Sequence, residues 1–173
     1  MLLATWNGKA FTAMKAATPA GAKTLLLNDV SCTSVKRCVA AGLSVNNART
    51  SEFGFTEVWN GRSWAADKAA WPKGITESLV FGVSCGTPTN CVAVGAAGTS
   101  KASAAKALSY NGKTWSQLSV PGPGKGKSSL LEGVSCPKAN ECVAIGEIGV
   151  TSGTATKPMA GLWNGRSWKM AFA

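Results

Sequence analysis

Six cysteines stand as three pairs, Cys32 and Cys38, Cys85 and Cys91, Cys136 and Cys142, each pair six positions apart. Thiols at such spacing either cross-link or hold a soft metal. Metal sites of this kind bring Cys-x₂₋₄-Cys plus further ligands, and the chain contains no histidine to supply them. Bridging is the preferred reading, with no metal and no cofactor expected. If the members of a pair lie on two antiparallel strands, their Cβ atoms fall within disulfide reach. A bridge over so short a loop contributes about 2 kcal/mol. Such bridges would be reduced in a cytosol, so the expected home is extracellular.

The lack of histidine also excludes Ser-His-Asp and Cys-His catalysis. Carboxylates are few: Asp29, Asp67, Glu52, Glu57, Glu77, Glu132, Glu141 and Glu147. Glycoside hydrolysis needs two of them facing a sugar, and Glu132 with Glu141 is the nearest candidate pair. Neither has an acidic counterpart in the other repeats, and Arg37, Arg49, Arg62 and Arg166 are too scattered to grip a substrate carboxylate. The expectation is a protein without catalytic residues.

The cysteine pairs are one landmark of an internal repeat of about 50 residues. Trp6-Asn7-Gly8, Trp59-Asn60-Gly61, Tyr110-Asn111-Gly112 and Trp163-Asn164-Gly165 begin 53, 51 and 53 residues apart. Val-Ser-Cys begins at Val30, Val83 and Val134 with the same offsets. Each unit reads as four short strands. The first covers 24–31, 79–84 and 130–135; the second 38–45, 91–96 and 142–148. The third covers 53–59, 104–110 and 156–163; the fourth 62–67, 113–118 and 166–172. Asn-Gly between such segments predicts a hairpin with positive φ at both turn positions. The segment 101–108 has helix-forming composition, but its counterparts in the other repeats do not, so a strand is expected there.

Four-stranded units at this period match β-propeller blades; a sandwich or barrel of similar hairpins is the alternative. The fold class is therefore all-β, with about 3.5 four-stranded antiparallel blades in one array over residues 1–173. Residues 1–15 would be a half blade, and 24–68, 79–118 and 130–173 three whole ones. A ring closes with 4 to 8 blades. The array is thus expected to belong to a longer ring, to self-associate, or to bind a complementary propeller fragment. No stretch is apolar for the roughly 18 residues a membrane span needs. The opening MLLATWNGKA has no long apolar region, so an export signal is expected outside this chain.

In the device Asn-Gly-x-Ser/Thr-Trp, the indoles of Trp64, Trp115 and Trp168 are expected to pack on the blade, with the ring nitrogen free to find a partner. Trp6, Trp59 and Trp163, with Tyr110 in the same register, are read as scaffold too. Trp71 has no aromatic counterpart and is the better contact candidate. The hairpin resembles the Asp-box turn of sialidase-like propellers, with asparagine for aspartate and one residue fewer. The whole repeat combines Leu-x-x-Val-Ser-Cys (27–32, 131–136), Cys-Val-Ala-Val/Ile-Gly (91–95, 142–146) and Trp-Asn-Gly-x-Ser/Thr-Trp. It is similar to the disulfide-stapled repeats of secreted actinobacterial propeller proteins. That resemblance implies a ring of about twice as many blades and a role in binding a protein, such as a metalloprotease. It marks scaffold residues and supplies no interaction residues.

The formal charge is +10, with 18 basic residues against 8 acidic, which attracts anionic partners. The lysines are spread through loops rather than set in an aromatic-lined groove, so specific nucleic-acid binding is not expected. Features that differ between repeats cluster at 46–55, 71–78 and 121–129. They single out Trp71, Lys73, Lys125, Lys127 and Arg49 as candidate binding residues, and Arg37 joins them from the first disulfide loop. One asymmetric interface for an extracellular protein is the favoured reading; a lectin-like glycan site, or a purely structural propeller piece, are the alternatives.

Overall fold

The computed structural model describes residues 2–46, 51–67, 71, 74–99, 102–149 and 156–173. Strands β1 (Leu2–Trp6) and β2 (Phe11–Lys15) form a two-stranded hairpin. Three four-stranded antiparallel sheets follow, each in sequence order. The first comprises β3 (Ala22–Ser34), β4 (Arg37–Asn46), β5 (Glu52–Trp59) and β6 (Trp64–Asp67). The second comprises β7 (Glu77–Thr87), β8 (Asn90–Thr99), β9 (Ala102–Tyr110) and β10 (Trp115–Leu118). The third comprises β11 (Ser128–Lys138), β12 (Glu141–Gly149), β13 (Thr156–Trp163) and β14 (Trp168–Phe172).

The opening strand of each full sheet runs past its cysteine and turns back through only two residues, as Ser34 pairs with Arg37, Thr87 with Asn90 and Lys138 with Glu141. These strands are longer than the sequence pattern predicts. The closing strands are shorter, because the preceding turn takes four residues: Trp59 pairs with Trp64, Tyr110 with Trp115 and Trp163 with Trp168.

A register shift recurs at Asn28, Phe81 and Glu132, each an extra residue in the opening strand. Opposite lie Gly42, Gly95 and Gly146, where a Cβ would run into the carbonyl of Leu26, Leu79 or Leu130. The bulge thus demands the glycine that ends Cys-Val-Ala-x-Gly.

The sheets stack. β7 packs on β3, β4 and β5, and β11 packs on β7, β8 and β9. Between the first two sheets lie Val39, Ala41, Val80, Val83, Leu108 and Trp115. Between the second and third lie Val92, Val94, Ala107, Leu131, Ala144 and Trp168. A strand covered on both faces buries consecutive residues, and one covered on a single face alternates. β8 does the first and β12 the second. At equivalent positions Val92 and Val94 are each 1% exposed, while Val143 and Ile145 are 46% and 58% exposed.

Small side chains explain why 102–110 is a strand despite its alanines. Ala105 and Ala107 are buried against the third sheet and Leu108 against the first, and alanine lets both neighbours come close. Two-sided burial outweighs local helix propensity.

Candidate functional site

The disulfides join Cys32 to Cys38, Cys85 to Cys91 and Cys136 to Cys142, with Cα separations of 4.0, 3.9 and 4.1 Å. Each holds the two-residue tip of an opening hairpin. The cysteines are therefore unavailable as nucleophiles or metal ligands. Among the described residues no three His, Cys, Asp or Glu side chains converge on a common point. Glu132 sits at the bulge beside Ile145 and Gly146, whereas Glu141 pairs with Lys138 at the hairpin tip. Four residues of extended chain separate these levels, roughly 13 Å at the rise of a strand, beyond the spacing of a glycosidase pair. Glu141 instead meets Lys138 at 3.4 Å on the surface.

The Asn-Gly turns differ from the expected two-residue form. Gly8, Gly61, Gly112 and Gly165 have φ near +90°, but the asparagines before them do not have positive φ. Each asparagine caps the turn instead: the Oδ1 of Asn60 accepts the N–H groups of Arg62 and Ser63, both at 2.9 Å. Asn7, Asn111 and Asn164 accept equivalent pairs. The side-chain carbonyl replaces a backbone acceptor, so only the glycine has to leave the right-handed region.

Across each turn the aromatic pair meets face to tilted face, with centroids 5.6 Å apart for Trp59 and Trp64, 5.1 Å for Tyr110 and Trp115, and 5.6 Å for Trp163 and Trp168. Trp115 and Trp168 are buried and Trp64 half-buried. The expected partner for the indole nitrogen is not found: Nε1 of all three is enclosed without a hydrogen bond among the described residues. Burying the indole outweighs that loss, because its apolar area contributes more than one unmade neutral bond costs.

The candidate contact residues are placed as follows. Trp71 donates from Nε1 to the carbonyl of Gly54 at 3.0 Å and packs on the core between the first two sheets. Arg37 donates to the carbonyls of Pro88 at 3.2 Å and Gly112 at 3.3 Å, tying the first disulfide hairpin to the second sheet. Asn90 performs the same tie to Asn140 one sheet later. Both Trp71 and Arg37 thus make contacts within the fold. Lys125 and Lys127 are exposed in the connection between β10 and β11, beside Gly124 and Gly126 with positive φ. Lys73 and Arg49 lie outside the described residues.

Three features were not read from the sequence. The serine of Val-Ser-Cys is an inter-sheet acceptor: Ser31 takes the N–H of Cys85 at 3.0 Å, and Ser84 that of Cys136 at 2.9 Å. Their recurrence in register was the available signal. Second, Glu57 is fully buried in β5 where the second sheet has Leu108. Burial pushes its pKa up from the ordinary 4.5, and the N–H of Ala17, 2.9 Å from Oε2, partly offsets that rise. Third, a cleft of about 670 Å³ opens between β1 and the first full sheet, lined by Ala4, Trp6, Val30, Cys32, Val35 and Trp64 among others. At its rim Trp6 and Phe11 form an aromatic pair, 55% and 74% exposed.

Among the described residues no helix is long and apolar enough to cross a membrane. No family model matches the chain, and no curated protein matches it. The structure is a disulfide-stabilised, repetitive all-β domain, an architecture suited to a binding scaffold.

Proposed function

We propose that this chain is a non-catalytic, extracellular binding module of β-propeller type. The three four-stranded sheets are consecutive blades, β1 and β2 are the outer half of another, and the connections that differ between blades recognise a protein. One observation carries the reading: in the three full sheets the recurring asparagines cap turns, the recurring Ser31 and Ser84 join sheets, and Trp115 and Trp168 are core. What remains for recognition is the exposed, non-repeating surface, with Lys125 and Lys127 at its most basic point. Three disulfides favour an oxidising compartment. The repeat resembles that of the dispase autolysis-inducing protein, which acts on a metalloprotease by binding it, so a secreted metalloprotease is the partner class to test first.

The exposed Trp6–Phe11 pair supports a second reading, a glycan platform. Both are tested by immobilising the oxidised chain and passing dispase, other secreted metalloproteases and a glycan library over it. The proposal expects saturable binding of a protease, weakened at least ten-fold by Lys125→Glu with Lys127→Glu, with unchanged thermal unfolding. Glycan binding abolished by Trp6→Ala, with no protease bound, would replace it by the lectin reading.

A further inference from the structure

The half sheet carries an unfilled strand position whose occupant the molecule itself specifies. In the full sheets the third strand never stands at an edge: β5 pairs with β4, β9 with β8 and β13 with β12. Among the described residues their counterpart β1 pairs only with β2. The bond from the Asn7 N–H to the Ala10 carbonyl sets the phase of this ladder, so the N–H groups of Ala4 and Trp6 point away from β2. Ala4 and Trp6 occupy the places of Glu57 and Trp59 in β5, which pair with Ala40 and Cys38. The free edge therefore faces the position of a second strand, and the cleft lies there.

The other wall of the cleft tells the same story. Val83 in β7 is 3% exposed beneath its neighbouring sheet, while the equivalent Val30 in β3 is 53% exposed. Cys85 and Cys136 each give their N–H to a serine of the preceding opening strand. Among the described residues the N–H of Cys32 meets no such serine.

We infer that this cleft is an acceptor for a disulfide-closed, two-stranded hairpin of the same repeat pattern. The two internal interfaces are its templates. The incoming second strand adds antiparallel to β1, its closing cysteine opposite Trp6 as Cys38 is opposite Trp59. The Val-Ser-Cys serine of its first strand receives the Cys32 N–H. Its apolar second-strand residues cover Val30 and Leu27, as Val92 and Val94 cover the third sheet. A second intact copy is a poorer fit, because all its opening hairpins are already paired and its first sheet carries the same unfilled position. The inference concerns the half sheet and is independent of the loop-binding reading above.

The probe is a fluorescent synthetic peptide of residues 77–99 with Cys85 and Cys91 oxidised, titrated with the intact chain. Saturable one-to-one binding is expected, with the Ala4 and Trp6 amides becoming protected from hydrogen exchange. Ser84→Ala in the peptide should weaken binding about five-fold, the worth of one neutral hydrogen bond. Ala4→Pro in the chain removes a donor on the cleft side and keeps the ladder to β2; it should weaken binding at least ten-fold. The same peptide fused by a flexible linker ahead of Leu2 raises the effective concentration to about millimolar, and there too Ala4 and Trp6 should be protected. Failure of the fusion to protect them in a folded chain would overturn the inference. So would equal binding of a scrambled oxidised peptide, or binding that survives Ala4→Pro and is lost on Val143→Asp. A chain that already dimerises and protects Ala4 and Trp6 without peptide would make a second copy the occupant and would also overturn it.

Discussion

The hydroxyl of Ser84 accepts the backbone N–H of Cys136 at 2.9 Å, joining the opening strands of two successive sheets beside their disulfides. Ser31 does the same for Cys85. In each disulfide pair the short Cα separation marks a site where the ladder's own N–H groups point outward. The serine gives that outward N–H a partner. Ser84→Ala should therefore cost about 1–3 kcal/mol, the range for a buried group left unpaired. Ser135 occupies the equivalent place in the third four-stranded sheet, is exposed, and among the described residues faces no further sheet; Ser135→Ala should change stability by less than about 0.5 kcal/mol. Urea unfolding of both variants under non-reducing conditions measures the contrast, and equal effects would show that the serines are not inter-sheet ties.

The aromatic positions should grade with burial. Trp115→Ala and Trp168→Ala remove buried indoles and should cost about 3–5 kcal/mol each. Trp64 is half-buried at the open cleft, and Trp64→Ala should cost distinctly less. The same unfolding experiment ranks them.

Glu57 gives a pH signature. Its folded pKa lies above the unfolded value because burial disfavours the charged carboxylate. The folded state then binds more protons than the unfolded state, so the contribution to stability is present below about pH 4.5 and declines as pH rises through the folded pKa. Glu57→Gln can keep the bond to Ala17 and cannot ionise. The stability difference between this variant and the parent should be small near pH 4 and should favour the variant increasingly toward pH 7. A difference that is flat with pH, or of opposite slope, would show that Glu57 is not held in a desolvated site.

Gly95→Ala places a methyl group against the Leu79 carbonyl across the bulge and should abolish folding or lower the melting temperature sharply. Gly122, which has open space around it, should tolerate alanine. Thermal unfolding by circular dichroism distinguishes the two.

Much of this fold is legible because the repeat reports the same choice three times. No single copy of 104–110 identifies a strand, since its alanines favour helix; its register with 53–59 and 156–163 does. The Asn-Gly hairpins were legible as hairpins but not as capped four-residue turns, because asparagine serves both a left-handed position and a side-chain cap. The surroundings of the candidate contact residues were less legible. Trp71 stood out by having no repeat partner, but its packing place against Gly54 could not be read from that uniqueness. Arg37 looked like a loop cation, and only the stacking of sheets brings Pro88 and Gly112 within its reach. Long-range neighbours of this kind leave no local pattern. The cleft was visible only as a half unit in the repeat count.

Amide hydrogen exchange on the unliganded chain tests the central claim, a stack in which each sheet completes the one before it and the first position stands unfilled. The account predicts slow exchange along Val92–Ala97 equivalents in β8, which is covered on both faces, and slow exchange at Glu57 and Trp59, paired to β4. Ala4 and Trp6 should exchange at least a hundred-fold faster than Glu57 and Trp59. Protection of Ala4 and Trp6 equal to that of Glu57 and Trp59 would mean that β1 is not an edge, and would contradict the account.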